Sequence, residues 1–277
     1  MNRRALINWS LAVATVAVFG ATLSAPASAD VLDNVKKAGV LKVGTETEFA
    51  PFDFIDKGKH VGLNVDLFDE IGKEMGVKIE WVTLPWDGVL PGLETGKFDI
   101  VAGPATITKK RLERYKFSPP IAEATVALLK KKGDASIMKP EDIAGKATGA
   151  GKATAQLAQL QSFVKTLPTQ GEVKEYVGFN EAYADLAAGR ISAVGNSLPN
   201  IAFVAQTSPV FEVVKPTFGV KTYFGFPQNA APEYATLNDA VAAAMAKIKA
   251  DGRMGKIQQK WFGVTFDTPA AVTDPAI

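Results

Sequence analysis

The sequence predicts an α/β fold of two lobes that are joined by two strands and enclose a ligand cleft. Three observations lead to this prediction. Strand and helix patterns alternate along the chain, one pattern of helix end, glycine and strand occurs twice, and residues 30–277 are long enough for two lobes of ordinary size. Alternating strands and helices are typical of parallel or mixed sheets that are covered by helices.

Apolar periodicity and the positions of glycine and proline predict the individual elements in chain order. We expect helices at residues 65–75, at 86–93, from Lys109 onward and at 237–260. We expect strands at residues 41–43, 77–82, 98–102, 124–129 and 220–226. Asp66 is the candidate N-cap of the first of these helices, and Gly76 ends it. Residues 130–133 predict a solvated turn, and residues 267–277 predict a loose tail.

The repeated pattern occupies residues 93–104 and 186–197, with Leu186 standing 93 positions after Leu93. Each copy ends a helix at leucine, continues through glycine and a basic residue, and enters a short apolar strand. Both strands then reach small or polar residues, which are Gly103 and Pro104 in the first copy and Asn196 and Ser197 in the second. We therefore expect both strand ends to face one cleft, each from its own lobe.

Two strands are placed to cross between the lobes, one leaving the first lobe near residues 124–129 and one returning near 220–226. This interpretation assigns residues 30–127 plus 221–277 to lobe 1 and residues 128–220 to lobe 2. Two crossings make a hinge, and a hinged pair of lobes binds its ligand between them.

The first 29 residues have the pattern of a cleavable signal peptide. Arg3 and Arg4 precede an apolar stretch at residues 11–23, and Ala27-Ser28-Ala29 resembles a signal peptidase site. The apolar stretch is short for a membrane span, so we expect export rather than anchoring.

Composition narrows the compartment and the partners. There is no cysteine, which excludes both a disulfide framework and a lipidated cysteine, so an unanchored periplasmic protein is expected. Without Arg3 and Arg4 the 31 basic residues fall to 29 and equal the 29 acidic ones. This balance of charge argues against a nucleic-acid or membrane-surface partner. We also expect the protein to be a monomer.

A candidate carboxylate site follows the strand at residues 98–102. Small residues there bring backbone close to a ligand, and Thr106 or Thr108 can begin the helix near Lys109. Arg111 falls in the first turn of that helix, where its planar guanidinium can hold a carboxylate through two hydrogen bonds.

The sequence motifs of phosphate-binding loops, zinc sites and serine hydrolases are incomplete or absent. Residues 146–153, KATGAGKA, lack the spacing and the hydroxyl residue of a phosphate-binding loop. His60 is the only histidine and has no cysteine as a zinc partner, so a solvated hairpin position is expected for it. The chain contains no G-x-S-x-G nucleophile motif. We therefore expect neither a metal site nor a cofactor, and a binding protein rather than an enzyme.

Several motifs in the correct order resemble the polar amino-acid family of periplasmic solute-binding proteins, which serve ABC importers. They are LKVGTETEFAPFDF at 41–54, GLNVDLFDEIGKEMG at 62–76, WDGVLPGLETGKFD at 86–99, TITKKR at 106–111, FSPP at 117–120 and ADGRMGKIQQKWFG at 250–263. The resemblance implies a type II periplasmic-binding-protein-like fold, an amino acid or related small carboxylate as ligand, and a membrane permease as partner.

The resemblance also implies roles for individual residues. Arg111, Thr106 and Thr154 would hold the ligand's α-carboxylate, although the family's Gly-Thr turn reads Ala153-Thr154 here. Phe49 and Trp86 would form the walls around the ligand side chain. For these two aromatics, simple core packing is the alternative interpretation.

Three further positions determine what else the ligand carries. Glu46 falls where the family can place an acid against a polar or cationic ligand end, and Pro104 falls where many relatives have a small hydroxyl residue. Ser197, next to Asn196, stands where amino-acid binders commonly have the aspartate that pairs with the α-ammonium. Either another acid, such as Glu46, replaces that aspartate, or the ligand has no α-ammonium in the usual place.

An enzyme is the alternative function, because cyclohexadienyl dehydratases resemble this family and also differ at the ammonium site. Their substrates are carboxylates whose turnover needs an acid in the cleft. The candidates for that acid are Glu46, Glu48 and Glu181.

Overall fold

The computed structural model describes residues 30–277, so the proposed signal peptide at residues 1–29 lies outside the described residues. The helices of eight or more residues are α1 Val31–Ala38, α2 Leu63–Met75, α3 Trp86–Glu94, α5 Ala155–Thr166, α6 Phe179–Ala187, α7 Leu198–Thr207, α8 Ala235–Ala250 and α9 Arg253–Phe262. The short helix α4 is Lys109–Leu112, and 3₁₀ turns occupy Pro140–Ile143 and Pro232–Tyr234.

The strands up to the first crossing are β1 Val40–Thr45, β2 Glu48–Phe49, β3 Asp53–Asp56, β4 Lys59–Val61, β5 Lys78–Thr83, β6 Ile100–Val101, β7 Ala105–Thr106, β8 Tyr115–Phe117 and β9 Ala122–Glu123. Those that follow are β10 Val126–Lys131, β11 Thr148–Gly151, β12 Val173–Tyr176, β13 Ala193–Ser197, β14 Phe211–Val214, β15 Tyr223–Gly225 and β16 Pro227–Asn229.

Each lobe is built on a mixed five-stranded sheet. The first sheet has the order β5-β1-β6-β16-β8, and the second has the order β12-β11-β13-β10-β14. In the first, β1 runs parallel to β5 and β6, with Val43 opposite both Trp81 and Ile100. In the second, β11 runs parallel to β12 and β13. Within each sheet the parallel strands therefore have their carboxyl ends at one edge, and open α/β sheets bind ligands at such an edge.

The chain crosses from the first lobe to the second and later returns to the first. Pairing within the second sheet begins at Val126, which lies opposite Ser197, two residues before the boundary suggested by the sequence. The chain returns through β15, which pairs with β7 and β9 in a small three-stranded sheet. A second small sheet contains β2, β3 and β4.

Three expectations about single elements were wrong. The helix predicted at 65–75 begins at Leu63 after Gly62, because Asp66 is not a cap and instead accepts a hydrogen bond from Trp261 Nε1 at 2.7 Å. The helix predicted at 237–260 is two helices, separated at Gly252, whose φ of 84° is a left-handed value. Lys130 lies in a strand and is buried, not solvated.

Lys130 is buried because its ammonium group is fully used. Nζ donates to the carbonyl oxygens of Asp134 at 2.8 Å and Ile137 at 2.5 Å, and it lies 3.0 Å from Glu212 Oε1. A buried charge is tolerated when it is paired and hydrogen-bonded in this way.

The residues after α9 are docked on lobe 1 rather than loose, which corrects the expected tail. Thr268 is buried and its hydroxyl donates to the Pro120 carbonyl oxygen at 3.0 Å. Pro275 is buried, and the Lys109 N–H donates to the Ile277 carbonyl oxygen at 2.7 Å.

Candidate functional site

The candidate site is the cleft between the carboxyl ends of the parallel strands. From lobe 1, Glu46 follows β1, Trp86 follows β5, and residues 103–106 follow β6. From lobe 2, residues 152–154 follow β11, and Asn196 and Ser197 end β13. Eight of the nine residues nominated by the sequence stand at these strand ends or on the short elements that follow them, and Phe49 lies on the adjoining strand β2.

Arg111 reaches across the cleft from α4. Its Nη1 donates to the Thr106 carbonyl oxygen at 3.0 Å, and its Nη2 lies 3.5 Å from the Ala153 carbonyl oxygen in lobe 2. Burial lowers the pKa of Arg111 to about 10, against a smaller opposing effect of Tyr115, so the group is charged at neutral pH. Among residues 30–277 no carboxylate forms an ion pair with it. The cleft thus contains a cation whose protein partners are neutral carbonyl groups.

The same lobe 2 carbonyl also meets Trp86. Trp86 is buried at the start of α3, and its Nε1 donates to the Ala153 oxygen at 3.3 Å. The Arg111 guanidinium carbon lies 5.7 Å from the centroid of the Trp86 ring, within the range of a cation–π interaction. Trp86 is therefore a wall of the cleft as well as part of the core.

Ala153 has a φ of 59°, a conformation that suits glycine far better than alanine. Thr154 follows it as the N-cap of α5. The Thr154 hydroxyl accepts from the Leu157 N–H at 3.0 Å and donates to the Gly151 carbonyl oxygen at 2.6 Å. Since both contacts belong to the cap, Thr154 chiefly fixes the turn that presents the Ala153 carbonyl.

Thr106, whose carbonyl oxygen accepts from Arg111, and Pro104 are both buried. The Thr106 hydroxyl has no hydrogen-bond partner among the described residues. A buried hydroxyl without a partner costs free energy, and a ligand oxygen in the cleft could supply one. Pro104 offers the cleft no side-chain donor.

Glu46 is a buried carboxyl group. Burial, together with the nearby carboxylates of Asp53 and Glu48, raises its pKa to about 8. It therefore holds its proton over most of the neutral range. Asp53 itself is fully buried and is bound by His60 Nε2 and Asn64 Nδ2, each at 2.6 Å.

His60 therefore differs from the solvated position expected for it. It is only partly exposed, and its ring packs edge-on against Trp81 with centroids 4.7 Å apart. Within residues 30–277 no group of three or more His, Cys, Asp or Glu side chains is arranged to hold a metal ion.

The lobe 2 side of the cleft is neutral and polar. Ser197 is fully buried and its hydroxyl accepts from Gln156 Nε2 at 2.8 Å. Asn196 Nδ2 contacts the Tyr183 hydroxyl at 2.9 Å. Burial and the proximity of Glu46 raise the pKa of Tyr183, opposed by its hydrogen bond from Asn196.

Gln156 and Tyr183 were missed by the sequence reasoning. Gln156 stands two residues after Thr154 in the first turn of α5, and Tyr183 lies one helical turn after Phe179. Their helical positions were visible in the sequence, but their contacts with β13 depend on residues 41 and 13 positions away.

Phe49 packs inside an aromatic cluster that joins the lobes. Its ring centroid lies 5.8 Å from that of Phe52, 5.7 Å from that of Phe224 and 5.7 Å from that of Phe179 in lobe 2. Phe49 is therefore packed in the core, and its contact with Phe179 adds a connection between the lobes.

The two further acids nominated for catalysis differ in position. Glu48 Oε2 is buried without a hydrogen-bond partner among the described residues and lies against Gly178, which precedes α6. Glu181 is exposed on α6. Glu46, in contrast, is buried, and its pKa is raised to about 8.

An open groove of about 970 Å³ lies on one side of the cleft. Its lining includes Trp86, Arg111, Thr154, Gly219 and Ile277. This volume is at the upper end of the range of small-molecule sites, about 300–1,000 Å³. Arg111 is thus accessible from a space that admits a small organic ligand.

Comparison with known proteins decides the family. Residues 41–264 match the family of bacterial extracellular solute-binding proteins, family 3. The chain belongs to this family.

Among curated relatives, the L-cystine-binding protein TcyJ of Escherichia coli K12 is 31% identical over 95% of this chain and 96% of its own length. The lysine/arginine/ornithine-binding periplasmic protein of the same strain is 30% identical over 80% of this chain and 87% of its own.

Solved structures of family members have the same two-lobed fold. An ancestral arginine-binding protein bound to arginine is 36% identical, with a TM-score of 0.74 over 81% of this chain and 99% of that one. AncCDT-1, an ancestral amino acid-binding protein and precursor of cyclohexadienyl dehydratase, is 33% identical, with a TM-score of 0.76 over 84% and 99%. The fold is that of type II periplasmic binding proteins.

Proposed function

We propose that this protein is the periplasmic substrate-binding component of an ABC importer and that it binds an amino acid or related small carboxylate between its lobes. Family membership supports the class of function. Among residues 30–277 no helix is both long and apolar enough to cross a bilayer. The membrane step would belong to a separate permease, which would recognise the closed arrangement.

The observation that carries the ligand proposal is the position of Arg111. Its guanidinium lies in the cleft and retains its charge, and its hydrogen-bond acceptors are carbonyl oxygens at 3.0 and 3.5 Å. A ligand carboxylate would replace a neutral acceptor with an anion and allow paired, charge-assisted hydrogen bonds. The unsatisfied Thr106 hydroxyl beside it is a further donor for the same carboxylate.

The residues around the cleft limit where a second charge of the ligand can be paired. Ser197, Gln156 and Asn196 are neutral, so lobe 2 contributes no anion for an α-ammonium at this point. Glu46 is the acid that can meet a cation in the cleft, at the cost of releasing its proton near neutral pH. The ammonium group of a zwitterionic ligand would therefore either point toward Glu46 or lie unpaired beside Ser197.

Ligand-driven closure follows from the division of contacts between the lobes. Lobe 1 supplies Arg111, Thr106 and Glu46, and lobe 2 supplies the Ala153-Thr154 turn and β13. A ligand shifts a conformational equilibrium only through contacts that differ between the two states. We propose that first contact is made on lobe 1 and that the lobe 2 residues favour closure.

The test is calorimetry with a panel of probes: L-cystine, L-arginine, L-lysine, L-glutamine, opines, and α-keto and α-hydroxy acids. We expect Arg111→Ala to reduce the affinity for any binding panel member by at least about 100-fold, since a bound carboxylate would lose its charged partner. Arg190→Ala is the matched control, because Arg190 is exposed on lobe 2, pairs with Asp185 at 2.5 Å and does not line the groove. Undiminished affinity in Arg111→Ala would refute the anchor.

A dehydratase is the second candidate function, and the raised pKa of Glu46 favours it. A buried carboxyl group that is protonated at neutral pH could donate a proton to a leaving hydroxyl group. Incubation of the pure protein with prephenate or L-arogenate tests this directly. Turnover that is lost in Glu46→Gln would support the enzyme, whereas no turnover in the wild type would reject it.

A further inference from the structure

The residues after α9 cross lobe 1 and end beside the proposed carboxylate anchor. We call residues 265–277 the C-terminal strap. The family match ends at residue 264, so the strap lies outside the matched region.

Contacts along the strap fix its path. At its start, the Phe266 N–H donates to Gln258 Oε1 at 3.2 Å, and the Phe266 ring packs edge-on against Phe262 with centroids 5.0 Å apart. In the middle, Thr268 donates to the Pro120 carbonyl oxygen and its own carbonyl accepts from Lys249 Nζ at 3.3 Å. These contacts hold the strap against lobe 1 over its first part.

The end of the strap contacts the helix that carries Arg111. The Ile277 carbonyl oxygen accepts from the backbone N–H of Lys109 at 2.7 Å, and Ile277 lines the groove that also contains Arg111. Lys109 is the first residue of α4, so its N–H has no acceptor within the helix. The strap supplies that acceptor.

Helix α4 has little else to hold it in place. It is four residues long, with Lys109 and Lys110 exposed and Arg111 and Leu112 half-buried, so none of its side chains is fully enclosed. At its start, Thr108 accepts from the Arg111 N–H at 3.2 Å through its hydroxyl and from the Leu112 N–H at 3.0 Å through its carbonyl. A helix this short is not stable by itself, so contacts at its ends determine how well its side chains are positioned.

We infer that the C-terminal strap is a positioning element for Arg111: its Ile277 carbonyl holds the first turn of α4, and the strap thereby raises the affinity of the cleft for carboxylate ligands. This inference rests on the proposed function. It concerns two residues, Lys109 and Ile277, that do not themselves bind the carboxylate.

Proline at Lys109 tests the hydrogen bond without removing the strap. Proline lacks the N–H, is favoured at the first position of a helix, and suits the extended backbone of Thr108, whose φ and ψ are −124° and 157°. Lys109→Ala keeps the N–H and removes only the side chain with its exposed, 3.9 Å ion pair to Asp274. Both variants lack the lysine side chain, and they differ in the N–H donor and in the fixed φ of proline, which suits the first position of a helix.

Hydrogen exchange gives a readout that needs no ligand. We expect deletion of residues 274–277 to speed exchange of the Lys109 amide by about 10-fold or more, while the amides of α2 keep their protection and show that lobe 1 remains folded. Unchanged exchange at Lys109 would overturn the inference, whatever the protein binds.

Calorimetry with L-cystine as the probe then measures the effect on binding. We expect Lys109→Pro and the deletion each to weaken affinity by about 3- to 10-fold, as loss of one positioned hydrogen bond predicts, and Lys109→Ala to match the wild type. In an Arg111→Lys background, which lacks the planar fork, the deletion should cost much less. An equal cost in both backgrounds would show a merely structural role and overturn the inference.

The two proposals fail in different ways. Failure of L-cystine and every other panel member to bind the wild type would contradict the proposed function, while the exchange experiment would still decide whether the strap holds α4. Loss of binding in Arg111→Ala together with full affinity in the deletion would refute the strap alone.

Discussion

At the residue scale, Glu46 links the cleft to stability. Its folded pKa of about 8 lies above its ordinary value of 4.5, so the native protein binds more protons than the unfolded chain between these values. Stability consequently falls as pH rises from about 4.5 to about 8 and loses nothing more from this group above that. The carboxyl group is thus held in the cleft at the expense of stability, as is common at functional sites.

We expect Glu46→Gln to remove this cost. The variant should be more stable than the wild type by about 2–4 kcal/mol at pH 8 and equally stable near pH 4, where Glu46 is protonated in both states. Urea unfolding at pH 4, 6 and 8 measures the difference. Glu181→Gln is the matched control, because that glutamate is exposed. A gain that is the same at all three pH values would contradict the assignment of the titration to Glu46.

Ser197 tests the question of the α-ammonium. Ser197→Asp places a carboxylate at a fully buried position beside Gln156, so it should destabilise the protein without ligand and attract a ligand cation. We expect affinity for an α-amino acid, relative to its α-hydroxy acid counterpart, to rise by about 10-fold or more. Calorimetry with both members of such a pair gives the ratio. Ser197→Asn is the neutral control, and an equal ratio in the two variants would place the ammonium elsewhere.

At the element scale, β2 and the start of α6 form a contact between the lobes. Glu48 Oε2 lies against Gly178, Phe49 packs on Phe179, and Asn200 Nδ2 donates to the Ala50 carbonyl oxygen at 2.8 Å. A Cβ atom at Gly178 would overlap Glu48 Oε2. This glycine therefore permits the close approach of the two lobes.

We expect Gly178→Ala to disfavour the closed arrangement and to weaken binding of any panel member by about 10-fold. The backbone there is extended, with φ −134° and ψ 159°, so alanine itself is not strained. Calorimetry measures the loss, and thermal unfolding checks that the lobes stay intact. The double variant with Glu48→Ala removes the overlap and should recover most of the affinity. No recovery would mean that the glycine acts through α6 instead.

The helix and strand ends show what local sequence can and cannot predict. Gly76 ends α2 in a left-handed conformation, as expected from its place after an amphipathic run. Asp66 resembled a cap, but its hydrogen-bond partners are Trp261 and Lys260, which lie 195 and 194 residues away in the sequence. Local patterns predict where a helix or strand ends, whereas the hydrogen-bond partner of a polar side chain depends on tertiary packing.

At the scale of the whole molecule, the repeat and the motif order predicted the two-lobed fold, which structural relatives confirm. The sequence also nominated residues that the structure gathers at one cleft, although their binding roles stay predictions. The pairing of Ser197 with Gln156 and the path of the strap were not predictable. Both depend on how distant segments pack, and residues 267–277 have no apolar periodicity to indicate that Thr268 and Pro275 would be buried.

The lobes also meet away from the cleft, where a cavity of about 250 Å³ separates α7 from α9. Leu198, Ala202 and Phe203 line it from lobe 2, and Trp261 and Phe262 line it from lobe 1. Because these elements belong to different lobes, the cavity exists in this form only when the lobes have their present arrangement. Apolar contact added inside it would stabilise that arrangement over a more open one.

We expect Ala202→Leu to fill part of this cavity and to raise the affinity for any member of the ligand panel that binds by about 3- to 5-fold. The reason is that about 1 kcal/mol of added apolar contact would favour the arrangement in which both lobes reach the ligand. Leucine suits the helical position, so α7 itself should not be disturbed. Small-angle scattering without ligand should show a smaller radius of gyration for the variant than for the wild type. The matched control is Gln206→Ala, which shortens a side chain at the same cavity and should not make the molecule more compact. Weaker binding together with a larger radius in Ala202→Leu would mean that the cavity must shrink for the lobes to close, and that this side of the molecule opposes closure.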